Sequence, residues 1–259
     1  MIWRLTSPLR ALYKIWFGLW FLIVGLLMYP LYRPVIKNKR CYGYIFALKR
    51  NVYVPLLMLG WFIWLKKMQS TKIPPHPMVI CPNHASYLDI VLMYRMIPGV
   101  FVFMGKEQLI KFPFVGLFFK YGLHVTVDRS SKADGSRALE LMRNKIEQGY
   151  SVVIFPEGTT TKNPPYMNPF KMGAFKLAVE KQIPLLPITF IDTWQVLSKP
   201  DKLFGWARPG KVSAVIHPVI HTKGLKENDL VSLQNKVREI IAQPLIKKFP
   251  YLKNNLHAN

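Results

Sequence analysis

Two short stretches of this chain hold the residue types best suited to chemistry. In Cys81-Pro-Asn-His-Ala-Ser-Tyr-Leu-Asp89 an imidazole, His84, stands five residues ahead of a carboxylate, Asp89, the first acidic residue of the sequence. A neutral imidazole backed by a carboxylate is a general base able to take the proton of a hydroxyl as it attacks an activated carbonyl. The second stretch is Phe155-Pro-Glu-Gly-Thr-Thr-Thr161. There Glu157 is a candidate ligand for an acceptor hydroxyl. Gly158 allows the backbone close to a ligand, with Thr159 beside it and nearby N–H groups facing a developing oxyanion. Lys106 and Arg129 are candidate phosphate ligands, one a point charge and the other a planar fork. Each group also has a plain structural reading: a surface His and a helix-start Asp, a turn-stabilising Glu, two surface cations among 36. Ser86 is not read as a nucleophile. No Gly-x-Ser-x-Gly elbow is present, and Ser86 suits the cap of a helix starting near Tyr87.

The elements that must position these groups alternate. Strands are expected at Met78–Cys81, Val100–Met104, His124–Val127, Ser151–Phe155, Leu185–Phe190 and Lys211–Ile216. Helices are expected at Tyr87–Met96, Asp134–Gln148, Phe170–Lys181 and Glu227–Leu245, with two short helices or a helix and loop in Leu109–Phe119. This pattern predicts an α/β fold with a mixed, largely parallel central sheet flanked by helices. Ligands of such sheets gather beyond the carboxyl ends of the strands. His84, Lys106, Arg129 and Glu157 each follow a different predicted strand.

Upstream of that domain the composition changes. Residues 1–88 contain twelve Lys or Arg and no Asp or Glu, within a chain of net charge +23. The uncharged run Ile15–Tyr32 would reach about 27 Å as a helix, marginal for a span, and Pro30 would end or kink it early. A second uncharged run covers Asn51–Leu65. Trp3, Trp16, Trp20, Trp61 and Trp64 are five of the seven tryptophans, a distribution that suits an interface between lipid and water. Residues 1–72 are therefore expected to form a membrane-anchoring helical pair, and 73–259 the α/β domain. Basic clusters between apolar runs match an anionic bilayer better than a nucleic acid. Two cysteines make no disulfide framework, Cys81 reads as a small core residue, and no metal ligand set is expected.

Taken together, the blocks resemble the 1-acyl-glycerol-3-phosphate acyltransferase family of membrane-bound glycerolipid acyltransferases, over roughly residues 75–220. Asn83-His84-x4-Asp89 is similar to the family's first block, which supplies the catalytic base and its carboxylate. Lys106 lies in a Gly-Lys-Glu-x-Leu segment like the family's, and Val125-Thr-Val-Asp-Arg129 is similar to the block whose Arg is assigned to phosphate. Phe155-Pro-Glu-Gly-Thr159 and Ile183-Pro-Leu-Leu-Pro187 resemble the third and fourth, the last held to shape the acyl site. The resemblance implies transfer of a fatty acyl group from acyl carrier protein or coenzyme A to the hydroxyl of lysophosphatidic acid. It implies no cofactor beyond that thioester, and a membrane location with the catalytic domain facing the cytoplasm, as at a bacterial inner membrane. One departure stands out: Thr160 occupies the place of an Arg usual in the family. That leaves open an acceptor with a different headgroup, and beside it a non-catalytic basic membrane-binding protein.

Overall fold

The structure, a computed structural model, describes residues 7–69, 71–75, 77–128, 132–198 and 203–255. The β-branched and apolar runs build a seven-stranded sheet of order β1-β7-β6-β2-β5-β3-β4. Its strands are β1 (Ile63–Gln69), β2 (Val79–Pro82), β3 (Phe101–Lys106), β4 (Val125–Val127), β5 (Ser151–Val153), β6 (Leu185–Phe190) and β7 (Gly210–Ile216). β2 to β6 run parallel, while β7 is antiparallel to β6 and parallel to β1. The strands at the centre are buried on both faces, as parallel strands covered by helices must be.

The helices are α1 (Ser7–Tyr32), α2 (Tyr42–Leu48), α3 (Val54–Gly60), α4 (Leu88–Met96), α5 (Val115–Lys120), α6 (Lys132–Glu147), α7 (Gly173–Glu180), α8 (Thr193–Val196) and α9 (Leu230–Lys248). Residues of α1 to α5 join one core cluster, and residues of α6, α7 and α9 join another that shares other strand residues. The elements expected from residue 78 onward are all found, with ends shifted by a few residues; α8 is additional.

The N-terminal region differs from expectation in three ways. First, the 26-residue α1 begins ahead of the uncharged run, because Lys14 is accommodated: its Nζ donates to Ser198 Oγ at 2.7 Å. Pro30 falls in the last turn of α1, where few intrahelical bonds remain to be lost. Second, α2 and α3 are joined by a π-helical turn, Lys49–Tyr53, directly ahead of Pro55. A wider turn suits a residue that can give no N–H to the preceding turn. Third, the expected helix over Asn51–Leu65 stops at Gly60. Phe62 takes φ 53°, the chain reverses, and β1 follows. β1 pairs on one side only, as an edge strand, and carries Lys66 and Lys67, charges common on sheet edges. Segment 1–72 therefore contributes a strand as well as helices, and a simple helical pair is not what forms.

The tryptophans divide accordingly. Trp16 and Trp64 are exposed, but Trp61 is fully buried. Its ring stacks on Phe17 at 3.6 Å between centroids, and its Nε1 donates to Phe17 O. Gly60 permits this docking, since a Cβ there would meet the Trp20 ring at 2.1 Å. Along α1, Phe17, Val24, Met28 and Tyr32 face the domain, whereas Leu12, Ile15, Leu19, Leu26 and Leu27 are exposed. α1 is long and apolar enough to cross a membrane by length and composition.

Candidate active site

The turn after β2 carries Asn83 and His84. The Asn83 carboxamide exchanges two hydrogen bonds with the backbone of Phe190 in neighbouring β6, donating at 3.0 Å and accepting at 2.7 Å. The turn is thereby fixed before His84 begins. His84 Nδ1 lies 3.0 Å from Asp89 Oδ2, and both side chains are buried. Asp89 Oδ2 also accepts from Ala85 N and Ser86 N, each at 2.8 Å, and Oδ1 accepts from Thr193 Oγ1 at 2.6 Å. A buried carboxylate is tolerable only when bonded this fully. With its oxygens so engaged, Asp89 accepts from Nδ1–H of His84, which leaves the Nε2 lone pair as the free base site. The ring is held from the side by Phe155, stacked at 4.1 Å.

Glu157 bonds to the turn that carries His84. Its Oε1 accepts from His84 N at 2.7 Å and its Oε2 from Asn168 N at 2.8 Å, in a buried position. The carboxyl therefore clamps the backbone of the base. Burial pushes its pKa up to about 8, against the opposing pull of the two amide bonds. Gly158 turns at φ 70°, and a Cβ there would meet Lys171 Cε at 2.9 Å. Ser86 is structural: its Oγ donates to Leu197 O at 2.6 Å and accepts from Leu88 N at 3.1 Å. Cys81 is a buried free thiol in the core, as expected.

His84 opens on a cavity of 480 Å³. Lys106, from the end of β3, and Thr159 line the same cavity, so three of the expected site residues share one hollow. Phe114, Val115, Phe118 and Phe119 form part of its wall. The block Ile183–Pro187, held by resemblance to shape the acyl site, leads into β6 in the middle of the sheet and is not part of this cavity's wall. Arg129 lies outside the described residues. His217 and His221 are spaced as metal ligands can be, but His217 Nε2 is 2.8 Å from Thr189 Oγ1. Among the described residues no group of three or more His, Cys, Asp or Glu gathers.

Two contributors were not anticipated. Thr193 bonds Asp89 from 104 residues away, a contact with no local signature. Phe155, although quoted in the second stretch, gave no hint of stacking on the imidazole.

Comparison with known proteins adds to this geometry. A family model described as Acyltransferase matches residues 65–191. The 1-acyl-sn-glycerol-3-phosphate acyltransferase alpha of Mus musculus is 32% identical over 166 residues, 64% of this chain and 57% of the relative. The 1-acyl-sn-glycerol-3-phosphate acyltransferase of Saccharomyces cerevisiae is 28% identical over 195 residues, 74% of this chain and 63% of the relative. The chain thus spans a little over half the length of the curated relatives it matches first. The crystal structure of the 1-acyl-sn-glycerophosphate acyltransferase PlsC from Thermotoga maritima superposes with a TM-score of 0.72 at 22% identity, covering 92% of this chain and 97% of that one. That likeness establishes the mixed, largely parallel sheet flanked by helices.

Proposed function

We propose that this chain, whose residues 65–191 match a family model described as Acyltransferase, moves a fatty acyl group from a thioester to the free hydroxyl of a lysophosphatidic acid, giving phosphatidic acid. The observation that carries the reading is the buried His84–Asp89 pair at the wall of a largely apolar cavity. His84 Nε2 takes the proton of the acceptor hydroxyl as its oxygen attacks the thioester carbonyl carbon. Collapse of the tetrahedral adduct breaks the C–S bond, and the proton passes from the imidazolium to the leaving sulfur, so base and charge are restored. Asp89 stabilises the imidazolium and Glu157 holds the backbone beneath it. Base catalysis of this kind contributes about 10²–10⁴-fold.

Lys106, exposed at the cavity, and Arg129 are assigned to the acceptor phosphate, Arg129 on the family resemblance alone. The donor is an acyl carrier protein or coenzyme A thioester, each anionic and suited to a chain of net charge +23. The exposed apolar side of α1 is assigned to the lipid bilayer, with the domain on its cytoplasmic side. One observation favours a second acceptor. Thr160, standing where an Arg is usual, is buried and lines the cavity, so an uncharged side chain faces the substrate. A lysolipid with another headgroup fits that position.

The test is acyl transfer by the purified protein to lysophosphatidate and to monoacylglycerol, which lacks the phosphate. Lys106→Ala should raise KM for the phosphorylated acceptor and leave that for monoacylglycerol in place. Equal kcat/KM for the two acceptors would remove phosphate recognition from the account.

A further inference from the structure

The cavity has a second polar end that the chemistry above does not use. Lys49, in the π-helical turn, is buried and donates from Nζ to Tyr94 Oη at 3.0 Å. Its ammonium nitrogen lies 3.3 Å from the centroid of the Phe118 ring. No carboxylate is paired with Lys49 in an ion pair among the described residues. Tyr94 Oη is also 2.9 Å from His124 Nε2. Phe103 N donates to His124 Nδ1 at 3.3 Å, so the imidazole carries its proton on Nε2 and gives it to Tyr94. The Tyr94 oxygen therefore accepts twice, and its own O–H proton remains unspent.

Tyr32 repeats the pattern. It is 3% exposed, its hydroxyl has no hydrogen-bond partner among the described residues, and its ring meets the Phe118 ring edge-on at 5.4 Å. Tyr32, Lys49, Tyr94 and His124 all line the cavity that His84 opens on. Burial holds the Lys49 amine and the His124 imidazole well below their usual pKa values, and the Tyr94 phenol well above its own. The cluster thus sets an amine and two phenols, with polar hydrogens to give, inside an apolar hollow. A buried donor without an acceptor costs about 1–3 kcal/mol, so a purely hydrocarbon occupant would leave that cost in place.

α4 sets the depth. Tyr87, Leu88, Val91 and Tyr94 of the α4 segment line the cavity at helical spacing. From Tyr87, beside His84, to Tyr94 the helix advances about 10 Å. An extended chain advances about 1.2 Å per bond, so the donors stand near the middle of a long acyl chain whose carbonyl is at His84.

We propose that Tyr32, Tyr94 and Lys49 form a subsite for an oxygen substituent, hydroxyl or keto, in the middle of a fatty chain. The inference rests on reading this cavity as the acyl site. The chain can belong to the donor thioester or to the lysolipid acceptor, since both end at the same reacting carbon and oxygen.

The experiment is competition between acyl-coenzyme A donors on the full-length protein: an unsubstituted chain, one with a hydroxyl in mid-chain and one with a hydroxyl beside the thioester. A second arm uses an unsubstituted donor and places the mid-chain hydroxyl on the lysophosphatidate. In one arm the mid-chain hydroxyl should raise kcat/KM about 5–10-fold, the worth of one or two hydrogen bonds. The hydroxyl beside the thioester should not. Tyr32→Phe removes a hydroxyl that has no hydrogen-bond partner among the described residues, so it spares the folded contacts and should cut the preference several-fold. Tyr94→Phe should cut it again. Transfer without discrimination in both arms, or a preference untouched by both variants, overturns this inference alone. Absence of transfer from every donor, with the same chains also offered as acyl carrier protein thioesters, overturns the acyltransferase reading and the subsite with it.

Discussion

The two ends of one cavity are built on opposite principles. At the His84 end the polar bonds are already made: Asp89 accepts four hydrogen bonds and Glu157 two, all from the protein. At the Lys49 end the donors outnumber the acceptors, and the Tyr32 hydroxyl has no partner among the described residues. The difference teaches what each end is for. A base that must bear charge transiently needs its geometry and counter-charge fixed beforehand, because reorganisation during the reaction would add to the barrier. A recognition site keeps its hydrogen bonds for the ligand.

Emptying the saturated end should do the most damage. Asp89→Ala strips the acceptor from His84 Nδ1, from two backbone N–H groups and from Thr193 Oγ1. It should cost about 3–5 kcal/mol in stability and at least about 100-fold in turnover, checked by thermal unfolding and an acyl-transfer assay. If turnover fell without any loss of stability, the saturated end would not be a structural unit. Glu157→Gln comes next. One amide oxygen cannot accept from both His84 N and Asn168 N, so about 1–3 kcal/mol should be lost in chemical denaturation, with turnover reduced as the base loosens. Thr193→Val deletes a single bond to a carboxylate and should cost about 1.5–3 kcal/mol. A neutral result there would mean that the bond from α8 is dispensable.

The last comparison is in pH dependence. The Glu157 carboxyl is raised by burial to about 8 from an ordinary value of 4.5. A raised carboxyl means that the folded state holds the proton more tightly than the unfolded chain. Its contribution to stability is then full below the unfolded value and is lost as pH rises through about 8. Unfolding midpoints measured from acid to mildly alkaline pH should fall across that window in the wild type. In Glu157→Gln, which has nothing to titrate there, they should fall less.

The saturated end was legible because it is local. His84 and Asp89 are five residues apart, and a strand followed by a helix start leaves them little freedom. The α/β domain was legible for a similar reason, since each strand and helix declares its own period. The Lys49 end was not: its members come from the end of α1, from a π turn, from α4 and from the residue ahead of β4, and no spacing links them. β1 escaped for a different reason. Its Ile-Trp-Leu start continues an apolar run, and the break at Gly60 and Phe62 depends on how α3 docks against Trp20 and on the parallel pairing offered by β7. Glu157 was found, but not the contacts that hold it. Its sequence neighbours show a turn, whereas only the fold shows that His84 N and Asn168 N lie within reach of its two oxygens.

The central claim is that His84 is the base at the wall of an acyl-binding cavity. It is tested most directly by a single-turnover measurement of acyl transfer from a fatty acyl thioester to a lysophosphatidate, comparing wild type with His84→Gln at matched fold and matched membrane binding. The account predicts product from the wild type and a rate lower by about 10²–10⁴-fold in the variant. Equal rates from the two proteins would contradict it.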